Sequence, residues 1–229
     1  KCCSRTRFPS LMSPTLLFAG RLNREYVLPV EGAPILDRAG GSPLYAAGAA
    51  AIWEKEIALL ARVGEDYPNR WLRNFTEYGI ASKGVQVIPG SLDLRSFRAY
   101  SEARELSRAN PVRHFADREL TFPKALLGYC PPEKREKFKT ERHPATPLIT
   151  EIPPEYLESK ALHIAPLDFK SQGQLLTAFR AASAKIITLD PSPRYMSPNR
   201  RHDLQLFLDG LTAFVTSEEE LRQLFWGET

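Results

Sequence analysis

The residues of this chain that could do chemistry fall into a few groups, and their types limit what that chemistry is. Gly40 and Gly41 stand directly before a helix start, where backbone N–H groups without intrahelical partners can donate to a hydroxyl or an anion. Asp190 closes the apolar run Lys185-Ile-Ile-Thr-Leu-Asp190, which places a carboxylate at the carboxyl end of a strand, the side of a parallel sheet where ligands bind. Ser217 and Glu220 form a Ser-x-x-Glu pattern that satisfies two helix-end donors as a capping box. Arg98, with Ser96 and Tyr100, lies on one face of a strand, either toward a ligand or as a charge that guards a sheet edge. The four histidines fall at no metal-ligand spacing and no Cys-x-x-Cys accompanies them, so no zinc site is expected. The chain contains no Gly-x-x-x-x-Gly-Lys-Ser/Thr loop and no protein-kinase catalytic loop, and no Gly-x-Gly-x-x-Gly follows its first strand.

These groups need elements to hold them. Ser42 and Pro43 read as the N-cap and first residue of a helix. The body of that helix, Ala46 to Ala51, is small enough to lie close against a sheet. Gly48 within it costs on the order of 1 kcal/mol relative to alanine, a cost that close packing would explain. Thr15–Ala19 and Ile57–Ala61 are continuous apolar runs, the pattern of strands buried on both faces. Trp71, Leu72, Phe75 and Tyr78 share one helical face, read as core, and Gly79 stops the helix. Residues 26–30, 84–88 and 94–100 read as further strands. From Ala161 a strand, a helix capped by Asp168, the strand ending in Asp190, a strand over 211–216 and the helix after Ser217 restore an alternating α/β pattern. The stretch from 119 to 154 is irregular and broken by prolines, and its mixed-sign run 133–143 reads as a solvated helix or loop.

The totals fit one α/β unit. The chain has 229 residues, 43% apolar and 25% charged, which are ordinary globular proportions. Its +4 formal charge suits anionic substrates but is too slight to imply nucleic acid. No apolar run approaches the roughly 20 residues that span a bilayer. Cys2 and Cys3 lie in a basic stretch without periodicity, residues 1–11, expected to stand outside the fold as a leader, and Cys130 has no partner in the body. That usage favours a reducing, cytoplasmic setting.

Taken together, Gly40-Gly41, the small-residue helix and a buried strand ending Val63-Gly64-Glu65-Asp66 resemble the N-terminal signature of the ribokinase-like (PfkB) carbohydrate and nucleoside kinases. The resemblance extends from Met12 to Thr229. It implies a three-layer α/β/α fold with a central, mostly parallel sheet and a small β-sheet lid, with lid strands at roughly 24–38 and 84–118. It also implies ATP and Mg2+ as cofactors, a sugar or nucleoside as acceptor, and a homodimer through the lid as one assembly; neither nucleic acid nor a membrane is expected as a partner.

Residue by residue, Gly20-x-x-Asn23-x-Glu25 is similar to the family's Gly-x-x-Asn-x-Asp, so Asn23 and Glu25, with Gly40 and Gly41, would hold the acceptor. A carboxylate one methylene longer than aspartate still accepts bonds from a polyol. Tyr45 stands where relatives often carry asparagine and implies a bulkier or more apolar wall, and Ser42-Pro43 replaces Lys-Gly. Arg98, on a strand of the lid, is a further substrate contact by the same resemblance. Asp190-x-Ser192-x-Arg194 is similar to Asp-x-Asn-x-Arg, and Ser217-x-x-Glu220 stands where Asn-x-x-Glu handles magnesium and phosphate, so these residues would face the phosphates, with no direct metal ligand among them. The family's Gly-Ala-Gly-Asp, source of the aspartate base, has no counterpart here. The expectation is therefore the N-terminal part of an ATP-dependent sugar kinase, truncated after the last helix and inactive in this form. A noncatalytic ribokinase-like scaffold or binding module is the alternative, and a dinucleotide-binding oxidoreductase a weaker third.

Overall fold

The computed structural model describes residues 13–131, 142–182 and 184–226. Residues 1–11, expected as a leader, most of the charged run 133–143 and the last three residues lie outside them. Six strands, β1 (Leu16–Ala19), β4 (Ile57–Gly64), β5 (Ile80–Ile88), β8 (Ala161–Ile164), β9 (Ile186–Leu189) and β10 (Ala213–Phe214), form one sheet in the order β10-β9-β8-β1-β4-β5. Every neighbouring pair is parallel.

The continuous apolar runs follow from burial on both faces. Leu17, Ala19, Ala58 and Leu60 point into a core completed by α4 (Phe169–Ala181), α5 (Arg201–Leu208) and α6 (Glu218–Leu224) through Leu175, Phe179, Phe207 and Leu224. Phe18, Ile57, Leu59, Ala61 and Val63 point the other way, against α1 (Ser42–Ala50) and α2 (Asn69–Glu77), whose Ala47, Trp71 and Phe75 are buried. Alternation within each apolar run thus feeds two cores. The result is the expected three-layer architecture.

A second, mixed sheet has the order β3-β2-β6-β7, from β2 (Asn23–Leu28), β3 (Ile35–Gly40), β6 (Arg95–Tyr100) and β7 (Leu106–Ser107). Tyr26, Leu28, Phe97 and Ala99 pack its outer face onto Phe115 of α3 (Pro111–Ala116) and Leu126, giving this sheet a small core of its own.

Four expectations change. Residues 84–88, expected with the lid, belong to β5 and pair with β4 in the main sheet. The strand starts at Ile80, directly after the left-handed turn at Gly79, and Gly84 lets it pass against the Tyr156 ring and the Leu59 carbonyl. The cap of α1 is Gly41 and not Ser42, because the capping residue has φ 107°, a conformation that glycine adopts without strain. Gly48 is exposed, and a Cβ there would meet nothing within 4 Å, so close approach of α1 to the sheet rests on Ala47. Tyr78 falls after the last turn of α2 and is 78% exposed, off the buried face of Trp71 and Phe75.

The elements after Ala161 follow the sequence pattern closely. Asp168 caps α4 by accepting from the Ser171 amide at 2.9 Å. The expected strand over 211–216 is reduced to Ala213–Phe214, paired with β9.

Candidate functional site

The strand order fixes where a site can form. From β1 the chain adds β4 and β5 on one side and β8, β9 and β10 on the other, so the direction of winding reverses at β1 and β8, and a crevice opens outside their carboxyl ends. Gly20 ends β1 there, and β2 leaves the main sheet immediately afterwards to form the lid.

Glu25 lies on β2, between Arg38 of β3 and Ser96 of β6, and is 1% exposed. A buried carboxylate is tolerated only when donors surround it, and this one has three. The Gly41 amide donates to Oε1 at 3.2 Å, Arg98 Nη2 donates to the same oxygen at 2.6 Å, and the Tyr45 hydroxyl donates to Oε2. Two of these groups come from the start of α1 and one from the lid, so Glu25 ties the two sheets' neighbourhoods together. Gly40 and Gly41 make this approach possible. A Cβ on Gly40 would fall within the Glu25 carboxyl, and one on Gly41 would meet the Arg21 carbonyl. Burial, then the bond to Glu25 and its charge, push the Tyr45 hydroxyl up to about 12, so it stays a donor.

A cavity of about 190 Å³ opens beside this cluster. Asn23, Glu25, Gly41, Ser42 and Tyr45 line it together with Ser96, Arg98 and Arg108. Behind it, Arg24 holds Asp37 with two parallel bonds of 2.9 and 3.0 Å, and the Tyr26 hydroxyl donates to the same carboxylate. These bonds fix β2 against β3.

The second group sits at the same edge of the main sheet. Asp190 follows the last residue of β9, and its amide donates to the Ile164 carbonyl. Gln172, buried in α4, donates to the carbonyls of Ala165 and Asp190 at 2.9 and 2.8 Å and accepts from the Tyr195 hydroxyl, which clamps the ends of β8 and β9 together. Burial, followed by the negative charge of Glu220, raises the Asp190 carboxyl to about 6. Glu220 is itself tied into the start of α6. Its Oε2 accepts from the Ser217 amide and hydroxyl, each at 2.8 Å, and from Thr216 Oγ1 at 3.1 Å, while Ser217 Oγ accepts from the Glu220 amide at 3.2 Å. This is the full capping box.

The structure therefore gathers Asn23, Glu25, Gly41, Tyr45 and Arg98 at one cavity, with Gly40 packed against the Glu25 carboxyl, and Asp190, Ser217 and Glu220 at a second place on the same edge. Arg194 stands exposed in the loop after Asp190. Arg98 guards no edge, because β6 is an inner strand of the lid sheet. Sequence reasoning missed Arg108 as a lining residue and Gln172 as the clamp. The β6–β7 ladder pairs Ala99 with Ser107, and its register carried one step further sets Arg108 opposite Arg98, a signal that a hairpin reading of 95–108 would have supplied.

No family model matches the chain. Among curated proteins it is 25% identical over 166 residues to a cytidine kinase of Thermococcus kodakarensis, an alignment covering 72% of this chain and 48% of that protein. Among solved structures it is similar to a fructokinase from Xylella fastidiosa, with a TM-score of 0.61 and 18% identity over 93% of this chain and 62% of that one. A ribokinase from Cryptococcus neoformans in complex with ADP gives 0.57 and 19%, over 93% and 60%. The chain thus has the ribokinase-like fold, and the resemblance read from its motifs is borne out at that level. It spans about half the length of the curated relative and about 60% of these structures.

Proposed function

We propose that this chain is the acceptor-binding part of an ATP-dependent sugar kinase, a phosphotransferase acting on a hydroxyl of a sugar or related small molecule. The observation that carries the reading is the cavity at Glu25, roofed by the lid sheet and placed where the winding of the main sheet reverses. Its kinase character is supported by relatives of this fold that act on fructose, ribose and cytidine, as their names state. Asn23 and Arg98 contact the acceptor, Gly41 and Tyr45 hold Glu25 in place, and Gly40 leaves room for that carboxyl. Asp190, Arg194, Ser217 and Glu220 face the nucleotide end.

The residues at that end fit a divalent cation in one respect. Burial first and the charge of Glu220 second push the Asp190 carboxyl up, and a bound Mg2+ would relieve the repulsion between the two carboxylates. A structure of this fold from E. coli holds ATP and Mg2+. When bound, the ion would offset phosphate charge during transfer. This chain's own contribution there is to orient Asp190 through Gln172 and to hold Glu220 through the cap of α6. Phosphoryl transfer depends on positioning and on a base for the acceptor hydroxyl. With no Gly-Ala-Gly-Asp stretch among its 229 residues, the chain by itself binds but does not turn over.

A second reading, a noncatalytic binding module, draws on one observation: Glu25 already spends itself on protein partners. Calorimetric titration of the chain with a panel of monosaccharides and nucleosides separates the two. The kinase reading expects one acceptor to bind, and Asn23→Ala to weaken it about tenfold, the loss of one good hydrogen bond to ligand. If no small polyol binds at millimolar concentration, the module reading replaces it.

A further inference from the structure

Resting on that reading of the cavity as the acceptor site, we infer that Tyr45 determines the size of the acceptor, as a pinned partition that confines the ligand to a single monosaccharide. Beyond it lies a second, larger space. A groove of about 600 Å³ runs between α1 and α2, with Leu44, Ile52, Trp71, Phe75 and Tyr78 along its walls. Tyr45 lines both that groove and the cavity at Glu25, and the two share no other lining residue among the described ones.

The two spaces differ in character. Asn23, Ser42 and Ser96 give the cavity groups that can hydrogen-bond a polyol, whereas the groove is walled mainly by aliphatic and aromatic side chains. They differ in size as well. The cavity holds about 190 Å³, below the roughly 300–1,000 Å³ that accommodates a drug-sized ligand, and the groove's 600 Å³ lies inside that range. A free monosaccharide can be held by the cavity alone. A sugar with a large apolar substituent, such as a phenyl glycoside or a nucleoside, needs the groove too.

The bond from the Tyr45 hydroxyl to Glu25 keeps the partition shut. Tyr45 is 56% exposed, so core packing does not hold its ring, while Glu25 is 1% exposed. Swinging the ring aside would leave a buried carboxylate one charge-assisted donor short, which a buried charge tolerates poorly. A wall held in this way selects by clash with the larger ligand and not by added attraction to the smaller one. On the groove side there is room to spare. Gly48 lies one turn further along the same face of α1, and a Cβ there would meet nothing within 4 Å.

The test is calorimetric titration of the 229-residue chain with fructose, ribose and glucose, with the phenyl glycosides of the same sugars, and with cytidine. The expected result is that a free sugar binds about tenfold tighter than its phenyl glycoside, or more. Tyr45→Ala and Tyr45→Gln, the second keeping an N–H donor for Glu25, should each raise the affinity of the glycoside relative to the free sugar by about tenfold. Tyr45→Phe keeps the ring and loses the pin, so its ratio should fall between those of the parent and Tyr45→Ala. Gly48→Leu fills the groove away from the cavity. It should leave binding of the free sugar unchanged and cancel the gain that Tyr45→Ala gives the glycoside. If Tyr45 only holds Glu25 in place, its variants weaken both ligands by the same factor, and an unmoved ratio overturns the inference. A parent chain that binds a phenyl glycoside or cytidine as tightly as a free sugar overturns it too, and leaves the acceptor-site reading standing. Failure of every probe with the parent and the variants would overturn both.

Discussion

Glu25 and Asp190 sit at the same edge of one sheet, yet the fold stabilises them by opposite means. Glu25 is almost wholly buried and keeps its charge company with an amide, a phenol and a guanidinium. Asp190 is half-buried, faces a second carboxylate, and has no donor to its side chain among the described residues; its carboxyl is pushed up to about 6. The difference teaches where each end of the site is stiff. Around Glu25 the lid and the start of α1 are locked by charge-assisted bonds. Around Asp190 only the backbone is clamped, by Gln172, and the carboxyl itself answers to pH.

The largest effect should come from breaking the Glu25 cluster. Glu25→Ala leaves Arg98 with a partly buried guanidinium and no counter-charge, a class of change that costs about 3 kcal/mol. Denaturant unfolding should show this loss, and Arg98→Met in the same background should restore part of it. A loss below about 0.5 kcal/mol would mean the pair is solvent-screened like a surface ion pair, and the contrast with Asp190 would fail.

Gly40→Ala tests the same cluster from the backbone side. Its new methyl would displace the Glu25 carboxyl, which is tethered and cannot swing away cheaply, so about 2 kcal/mol is expected from overpacking. In the Glu25→Ala background the methyl has room. The two losses should therefore sum to more than the double mutant shows, with a coupling energy of about 1 kcal/mol or more. Strict additivity would detach Gly40 from the cluster.

These residues also show what the sequence made legible. The apolar runs of β1 and β4 declared burial on both faces, and alternation inside them sorted Leu17 from Phe18 into separate cores. The Ser217-x-x-Glu220 spacing announced its cap, because a capping box is local and needs no tertiary contact. Gly40 and Gly41 marked the close approach to Glu25, although the partners there were not readable. Arg98 and Tyr45 meet one carboxylate only because the parallel pairing of β2 with β6 and the entry angle of α1 bring three distant segments together. Gly48 misled for the complementary reason: a small residue signals close packing only on the face that turns inward, and the face of α1 carrying Gly48 turns out.

On the Asp190 side the effects are smaller. Ser217→Ala removes the N-cap of α6 and one donor to Glu220, for a loss of about 1 kcal/mol. Ser217→Asp, a good cap that sets a further negative charge beside Glu220, should recover less than Ser217→Asn. Equal recovery by both would show that the local charge density around Asp190 does not matter.

Asp190→Asn should have the smallest effect and the most telling sign. The folded-state pKa of about 6 lies above the ordinary aspartate value of 3.8. Between pH 4 and 6 the folded chain therefore holds a proton that the unfolded chain has released, and stability falls as pH rises through that window. Above pH 6 the full cost of the charged, half-buried carboxylate is present, and below pH 4 it is absent. Asparagine carries no such charge, so the variant should match the parent near pH 4 and exceed it at pH 7 by less than about 1 kcal/mol, the partial exposure screening the effect. Thermal melts at the two pH values read the difference directly. The same substitution made at Glu25, as Glu25→Gln, should destabilise at pH 7, because there the charge is matched and its removal leaves Arg98 without a counter-charge. If both amides shift stability in the same direction at pH 7, the two carboxylates are not held by opposite means.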